Sequence, residues 1–275
     1  MILVTGAGGQ VGTPLVRRLR SAGHDVVPSD IGTCDLRSDR DIARLFEQYR
    51  FSAIVHLAAV LPSAFRADPL SGGEVNLAGT LRLLRAAVDS GVSRFVFGSS
   101  ASVYGTSETR LCIETSDPAP DEPYGAAKLA VEKILELIPA AHAMETVSLR
   151  IPRVLGPGAH HTGSPWRSQM FEQPSPPASL LTMLFAPHAR LSVIHVDDLA
   201  RALQVLVEAP SLGRRIYNAP AELVSAGEIK RLAQDIKGWQ VSLGTLNGGP
   251  EIDSTRFAED FDFVTRPLRE HLSSE

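Results

Sequence analysis

The chain has 275 residues, of which 44% are hydrophobic and 21% are charged, and its formal net charge is −4. This composition is typical of a globular protein with a sizeable core. Without a broad positive field, nucleic acid is not an expected partner. No apolar run approaches the roughly 20 residues that span a bilayer, and no basic leader precedes the apolar start at Ile2. We therefore expect a cytoplasmic protein without membrane contact.

Short apolar runs alternate with longer amphipathic stretches in the first part of the chain. This alternation predicts βαβ units that build a parallel sheet with helices on both faces. The predicted strands cover residues 1–5, 25–29, 53–57, 94–98 and 145–151, and the predicted helices cover residues 10–22, 38–49, 72–90 and 124–138.

The amino-acid composition changes after residue 155. Residues 156–179 are rich in glycine and proline, which predicts an irregular chain without long helices or strands. Strands are predicted again at 191–196 and 214–218, with a helix at 197–208 between them and another helix at 225–237. We expect a main domain formed by residues 1–155 plus 191–220. A small, discontinuous substrate-binding lobe would comprise residues 156–190 plus 221–275.

Three glycines follow the first predicted strand at regular spacing. Gly6, Gly9 and Gly12 stand between a strand and a helix, where such glycines permit a tight turn, close approach to a pyrophosphate and close helix packing. The helix N-terminus then offers N–H groups to the phosphates. A glycine-rich turn without a ligand is the alternative. The motif, with Gln10 and Val11 as further cofactor contacts, predicts a Rossmann-type, doubly wound α/β fold that binds a dinucleotide.

Asp30 ends the second predicted strand. A carboxylate in this place can accept hydrogen bonds from the adenosine ribose and would repel a 2′-phosphate. Since no arginine or lysine follows it directly, the sequence favours NAD over NADP as the cofactor. A plain loop aspartate is the alternative interpretation.

Tyr124 and Lys128 form a Y-x-x-x-K pair at the start of a predicted helix, which places them on one face one turn apart. We expect the ammonium to lower the pKa of the tyrosine toward the range of a general base. Ser100 follows the strand at 94–98, at the carboxyl edge of the sheet, where it could steady a substrate oxygen. The alternative is an exposed tyrosine beside a solvated lysine.

Several further segments accompany these motifs in a fixed order along residues 1–202. They are TGAGGQVG at 5–12, Asp30, Asp35-Leu36, HLAA at 56–59, Asn76 in VNLAGT, SSASVYG at 99–105, PYGAAK at 123–128, LRIPRVLGPG at 149–158 and HVDDLARA at 195–202. In this order and spacing the sequence resembles the extended short-chain dehydrogenase/reductase family, also described as the NAD-dependent epimerase/dehydratase family.

The resemblance implies an NAD-dependent enzyme in which Tyr124 is the acid/base, Lys128 binds the nicotinamide ribose and Ser100 polarises the substrate oxygen. It also implies that helices 72–90 and 124–138 pair in a homodimer. The positions implied to contact the cofactor, besides the glycine loop and Asp30, are Asp35, Leu36, Leu57, Ala58, Ala59, Asn76, Tyr124, Lys128, Ile151 and Val154.

Other polar residues are assigned no chemistry. His160 and His161 are adjacent, so their side chains point apart, and with no third ligand nearby we expect no metal site. The two cysteines, Cys34 and Cys112, match no metal spacing either. The segment from His195 to Asp198 is expected to be structural.

The reaction type stays open at this point. Ser100-Ala101-Ser102 lacks the carboxylates of the related dehydratases, so an epimerase and a dehydrogenase fit equally well. Nucleotide-sugar enzymes of this type carry an arginine for the diphosphate in a late segment, but residues 248–253 lack it. Arg256 and Arg266 are candidate substitutes. This departure favours a smaller substrate, such as a sugar, a sugar acid or an amino acid, and a non-catalytic NAD-binding sensor is the further alternative.

Overall fold

Strands and helices alternate along the chain in the computed structural model, which describes residues 1–106, 109–158, 163–175 and 180–274. The strands are β1 (Ile2–Thr5), β2 (Val26–Ser29), β3 (Ala53–His56), β4 (Arg94–Ser100), β5 (Leu111–Cys112), β6 (Glu145–Ile151), β7 (Arg153–Leu155), β8 (Leu180–Phe185), β9 (Arg190–His195), β10 (Ile216–Asn218), β11 (Glu222–Ser225), β12 (Gln240–Leu246) and β13 (Glu251–Ile252). The α-helices are α1 (Gly12–Ser21), α2 (Asp39–Gln48), α3 (Pro62–Ala67), α4 (Pro69–Gly73), α5 (Thr80–Asp89), α6 (Pro123–Ala141), α7 (Trp166–Gln169), α8 (Val196–Glu208), α9 (Ala226–Lys237), α10 (Thr255–Phe261) and α11 (Leu268–Ser274).

Six strands form one parallel sheet in the order β2-β1-β3-β4-β6-β10. Helices α1 and α8 bury Leu15, Leu19 and Leu203 against one face. Helices α2, α5 and α6 bury residues such as Phe46 and Leu135 against the other. Both faces are therefore covered, and the predicted doubly wound, Rossmann-type fold is confirmed.

Local sequence signals account for where several helices begin and end. The Ser38 hydroxyl accepts a hydrogen bond from the Asp41 N–H at the start of α2, as an N-cap serine does. Ser225 caps α9 in the same way. The same helix ends at Gly238, whose φ of +78° is the left-handed conformation that favours glycine.

The predicted helix at 72–90 is more complex than its periodicity indicates. Helices α4 and α5 are joined by a π-helical segment, Glu74–Gly79. A π-turn inside a longer helix keeps most of the 3.6-residue pattern, so sequence periodicity does not reveal it. In this segment the Thr80 hydroxyl donates to the Asn76 carbonyl oxygen at 2.8 Å.

The order in which successive strands join the sheet reverses at β1, because β2 lies on one side of β1 and β3 on the other. The carboxyl ends of β1 and β3 therefore open a crevice, the usual ligand site of such sheets. The glycine loop follows β1, Leu57 follows β3, and Ser100 and Ile151 are paired at the ends of β4 and β6. The fold thus gathers at one edge the motifs that the sequence separates.

A second group of elements lies beyond β6. Strand β9 pairs in parallel with β7 and antiparallel with β11, and β12 pairs with β8. A third core joins β8, β9 and α9, with Trp166, Leu191 and Ile229 buried in it. The sequence prediction had grouped β9 with the main domain and had left β8 and β12 unassigned. The two-domain division itself stays a prediction.

The sequence predicts neither a membrane span nor a metal site. Within the described ranges, no helix is long and apolar enough to cross a membrane. The same ranges hold no group of three or more His, Cys, Asp or Glu side chains placed to bind a metal ion. His160 and His161 lie outside the described residues.

Candidate functional site

A cavity of about 880 Å³ lies at the carboxyl ends of β1, β3, β4 and β6. Most of the residues predicted from sequence line it. They are Gly6, Gly9, Gln10, Val11, Gly12, Asp30, Asp35, Leu36, Leu57, Ala58, Ala59, Ser100, Tyr124, Lys128, Ile151 and Val154.

The glycine loop has no room for side chains at two of its three motif positions. Gly6 has a φ of +68°, and a Cβ there would lie 2.7 Å from the Ala58 nitrogen. A Cβ on Gly12 would lie 2.1 Å from the Gly6 carbonyl oxygen. Helix α1 then begins without a side-chain cap on its N–H groups. The loop therefore fits a pyrophosphate, since no side chain among the described residues caps the N-terminus of α1, where a phosphate could bind.

Asp30 lies beside this loop at the end of β2. Its Oδ2 accepts a hydrogen bond from the Gly8 N–H at 2.9 Å, and its Oδ1 accepts from the Ile31 N–H at 2.8 Å. Farther along the cavity wall, Arg37 forms a 2.7 Å ion pair with Asp35 and lowers the pKa of that carboxyl. The glycine loop is thus bordered by the Asp30 carboxylate, while the Arg37 guanidinium is paired with Asp35.

Ser100, Tyr124 and Lys128 meet at the floor of the cavity. Tyr124 is in the first turn of α6 and Lys128 one turn later. The Ser100 Oγ accepts from the Ser102 N–H at 3.1 Å, and a hydrogen bond with Ser100 favours ionisation of the tyrosine. The Lys128 Nζ donates to the Gly98 carbonyl oxygen at 2.6 Å.

The expected lowering of the Tyr124 pKa by Lys128 is wrong for this structure. Burial raises the pKa of Tyr124 to about 12, and the hydrogen bond with Ser100 offsets this only in part. Burial also lowers the pKa of Lys128 to about 8. The ammonium lies 5.7 Å from the centre of the tyrosine ring, held by the Gly98 carbonyl, so desolvation outweighs its field.

A buried polar network that the sequence prediction missed supports this group from behind. Glu132, one turn after Lys128, accepts a hydrogen bond from Ser99 and forms a 2.7 Å ion pair with Arg150. Arg150 also donates to the Tyr104 hydroxyl at 2.8 Å. Burial raises the pKa of Tyr104 to about 12. In the sequence, the position of Glu132 four residues after Lys128 is the signal that could have indicated this network.

Asn76 differs from the other predicted cofactor contacts. It is buried, does not line the cavity, and its side-chain amide exchanges hydrogen bonds with the Val60 N–H and carbonyl at 2.7 and 2.8 Å. Its amide groups are thus already paired with backbone. Asn76 therefore positions the Val60 segment of the cavity wall, and the expectation of a direct cofactor contact is corrected.

A second buried chain of hydrogen bonds runs through His56. The Thr80 hydroxyl donates to Asn76, so it accepts from His56 Nε2 at 2.8 Å. His56 Nδ1 then accepts from the Thr5 hydroxyl at 2.7 Å, and Thr5 in turn accepts from the Ala58 N–H. This order of donors requires a neutral imidazole protonated on Nε2. Burial, with a smaller contribution from Lys128, lowers the pKa of His56 to about 3.

Stability is expected to decrease as the pH falls below about 6.5, the ordinary pKa of histidine. The unfolded chain binds a proton at His56 in this range and the folded chain does not until about pH 3, so protonation favours unfolding by up to about 1.4 kcal/mol per pH unit. Urea unfolding at pH 7, 6 and 5 measures this slope. The variant His56→Gln should have a shallower slope than the wild-type chain. Some slope should remain in the variant, because His195, with a pKa lowered to about 4, contributes in the same direction. Equal slopes would contradict the role of His56.

The segment from His195 to Asp198 lies in another buried cluster. His195 stacks on His271 with ring centres 3.8 Å apart. His271 contacts Asp198 at 2.9 Å, and Asp198 also accepts from the Arg266 N–H. None of these four residues lines the cavity. The contacts join α8 to α11 and agree with the structural role expected from sequence.

The two candidate substitutes for the missing diphosphate arginine do not reach the cavity. Arg256 lies 3.4 Å from Glu114, and Arg266 lies 3.7 Å from Glu270. Neither is among the residues that line the cavity, so this expectation is corrected. The arginines that do line it are Arg66, Arg153 and Arg167.

The family model described as the NAD dependent epimerase/dehydratase family matches residues 2–219. UDP-glucose 4-epimerase 3 of Oryza sativa subsp. japonica is 30% identical over 267 residues, which cover 79% of this chain and 70% of that protein. UDP-glucose 4-epimerase of Lacticaseibacillus casei is 33% identical over 172 residues, which cover 56% of this chain and about half, 52%, of that protein. The chain belongs to the NAD dependent epimerase/dehydratase family, and the cofactor of that family is NAD.

Solved structures agree with this assignment. MoeE5 in complex with UDP-glucuronic acid and NAD has a TM-score of 0.85 at 27% identity, over 100% of this chain and 97% of that one. L-threonine dehydrogenase from Phytophthora infestans has a TM-score of 0.89 at 24% identity, over 99% and 96% of the two chains. At that identity the second similarity shows the fold alone.

Proposed function

We propose that this chain transfers hydride between NAD and a hydroxyl-bearing carbon of a sugar or sugar-derived substrate. The observation that carries the proposal is the convergence of Ser100, Tyr124 and Lys128 with the glycine loop on one cavity. A sensor that binds NAD without turnover would need no such group. The epimerase relatives support the same chemistry.

Each residue of the catalytic group has a distinct task. When bound, NAD supplies the hydride acceptor and donor. The Tyr124 hydroxyl, whose pKa burial raises to about 12, donates a proton to a substrate carbonyl oxygen and, once ionised, removes one from a hydroxyl. Ser100 hydrogen-bonds the same oxygen. Lys128 holds the ribose end of the cofactor.

The glycine loop and the strand ends are proposed to hold the cofactor. The N–H groups at the start of α1 face the pyrophosphate, and Asp30 accepts from the adenosine ribose. Asp35 and Leu36 flank the adenine, and Ile151 and Val154 lie by the nicotinamide. The remaining proposed contacts, from the loop and the end of β3, are Gln10, Val11, Leu57, Ala58 and Ala59.

Two net reactions remain, and each has support. The relatives are UDP-glucose 4-epimerases, which favours epimerisation of a nucleotide sugar. Arg256 and Arg266, however, lie away from the cavity in ion pairs, which favours a dehydrogenase of a small hydroxy compound. Neither of these reactions is a dehydration, and the Ser100-Ala101-Ser102 segment offers no carboxylate for the elimination step that a dehydration needs.

A substrate panel tests the proposal and separates the two reactions. Purified protein with NAD is mixed with UDP-glucose, free aldoses, free uronic acids and threonine. Absorbance of NADH reports net oxidation, and analysis of the product sugars reports epimerisation. Net NADH from a free hydroxy compound identifies a dehydrogenase, whereas epimerised UDP-sugar without net NADH identifies an epimerase. A chain that binds NAD but converts no member of the panel would favour the sensor.

Substitution of Asp30 by serine is expected to weaken the preference for NAD over NADP by about tenfold or more, because it removes both a ribose acceptor and a charge that repels the 2′-phosphate. Titration of both cofactors by fluorescence measures the ratio of affinities. Asp68→Ser, at the N-cap of α4 away from the cavity wall, is the matched control. An unchanged ratio in Asp30→Ser would remove Asp30 from the proposed cofactor contacts.

Homodimer formation through the predicted helices 72–90 and 124–138 stays a proposal. Leu137 on α6 is 71% exposed in the single chain. A large apolar side chain at that exposure on the predicted interface helix is compatible with a partner covering it.

A further inference from the structure

Two arginines face the cavity from elements outside the catalytic group. Arg153 begins β7, and Arg167 lies in α7. Both side chains are half-buried and line the same cavity as Tyr124 and Ser100. Neither was singled out from the sequence.

These two guanidinium groups lack acidic partners in the described part of the chain. Arg153 stacks on the Phe185 ring at 5.1 Å, and within the described residues the Arg167 guanidinium makes one long hydrogen bond, 3.5 Å, from its Nε to the Ser164 carbonyl oxygen. Two other arginines with little solvent exposure do have acidic partners. Arg150 is bound to Glu132 at 2.7 Å, and Arg94 to Glu145 at 2.5 Å.

The electrostatics of the pair are unfavourable in the protein alone. Burial and the positive charge of Arg167 lower the pKa of Arg153 to about 10, and burial also lowers the pKa of Arg167. Two like charges held partly out of water raise each other's energy. An anion between them would relieve both the desolvation and the repulsion, and a fork-shaped guanidinium suits a carboxylate or a phosphate.

The protein also holds the two groups in place. The Arg167 carbonyl oxygen accepts a hydrogen bond from the Gly156 N–H at 3.0 Å, which ties α7 to the end of β7. Phe185 packs edge-on against buried Trp166 at 6.4 Å and supports the stacked Arg153. The two arginines therefore extend from a strand and a helix that are joined by a backbone hydrogen bond.

Arg153 is also close to the candidate catalytic group. Ile151 is in register with Ser100, and Arg153 is two residues farther on, at most about 7 Å along the chain. We propose that Arg153 and Arg167 form an oxyanion subsite, which binds a carboxylate or phosphate group of the substrate whose hydroxyl reacts at Tyr124. This inference deepens the proposed function and rests on it for the reacting end of the substrate.

Calorimetric binding to the full chain saturated with NADH tests the subsite without turnover, because the reduced cofactor cannot accept hydride from a hydroxyl-bearing carbon. The probes are D-glucuronate and its uncharged counterpart D-glucose, and UDP and its uncharged counterpart uridine. The proteins are the wild type, Arg153→Met, Arg167→Met and the control Arg44→Met, whose exposed guanidinium pairs with Asp41 on the far helix α2. In the wild type, one anion should bind at least about tenfold more tightly than its uncharged counterpart, and each cavity variant should lose about tenfold or more of that affinity.

The outcome also identifies the anion. A preference for glucuronate that both variants remove assigns a substrate carboxylate, and a preference for UDP that both remove assigns a diphosphate. Arg44→Met should retain the wild-type preference. If neither anion is preferred by the wild type, or if the preference survives in both cavity variants, the subsite is overturned.

Two further measurements distinguish this inference from its alternatives. The melting temperature of each cavity variant without ligand should be equal to or above that of the wild type, since an uncompensated charge has been removed; a purely structural arginine would lower it. Repeating the binding in Tyr124→Phe separates the two proposals. Anion preference without any turnover in the wild type would contradict the proposed function alone, whereas turnover without anion preference would contradict the subsite alone.

Discussion

Replacement of Tyr124 by phenylalanine is expected to lower the rate of substrate turnover by about two to four orders of magnitude, the usual contribution of a positioned acid or base. The ring packs edge-on against Phe65 at 6.4 Å, and phenylalanine keeps this contact. Only the hydroxyl is lost, so the fold and NAD affinity should remain. Steady-state rates with the substrate found in the panel measure the effect.

The control for this variant is Tyr49→Phe, which removes a hydroxyl from a tyrosine beside Phe51 in the core behind α2. Its rate should equal that of the wild type. For the unmodified chain, oxidation of a hydroxyl should become faster as the pH rises, because the Tyr124 pKa is raised to about 12 and the ionised form is scarce at neutral pH. Full turnover by Tyr124→Phe would remove Tyr124 from the mechanism.

The second large effect is expected at the glycine loop. A Cβ on Gly12 would lie 2.1 Å from the Gly6 carbonyl oxygen and 2.7 Å from the Ala7 Cα, and both are backbone atoms that cannot rotate away. Gly12→Ala must therefore move the loop away from the start of α1, and NAD affinity should fall by about 100-fold or more. Cofactor fluorescence or calorimetry measures the loss.

A graded series keeps this prediction testable if Gly12→Ala folds poorly. The Cβ of Gly9→Ala would lie 3.2 Å from the Gly6 oxygen, so a smaller shift and a smaller loss are expected. The Cβ of Gly213→Ala would meet nothing within 4 Å, and its NAD affinity should be unchanged. An order of affinities other than Gly213→Ala, then Gly9→Ala, then Gly12→Ala would refute the steric explanation.

The parallel sheet and its helices could be predicted from sequence because their signals are local. Strands such as Ala53–His56 are continuous apolar runs, and α1 carries buried leucines at helical spacing. Elements beyond residue 155 were harder to predict. Strand β13 has only two residues, and β8 alternates buried and exposed side chains beside a proline-rich run. Short strands that depend on distant partners leave little periodic signal.

The residues of the candidate site also differ in whether the sequence could identify them. The glycine loop, Asp30 and the Tyr124–Lys128 pair are recognisable because each motif is contiguous or separated by one helical turn. Asn76 was assigned wrongly because its position in a motif does not reveal that Val60 occupies its amide. Arg153 and Arg167 were not identified, since an arginine without an acidic partner looks in sequence like any other arginine.

Local sequence signals were therefore sufficient to predict the fold class, and they named the glycine loop and the candidate catalytic group of Ser100, Tyr124 and Lys128. The tertiary structure alone decided their electrostatics, because a pKa depends on burial and on neighbours distant in sequence. It raised the Tyr124 pKa where the Lys128 spacing had indicated a lowering. It also placed on the cavity, where the glycine loop and Tyr124 meet, two guanidinium groups that have no acidic partner among the described residues.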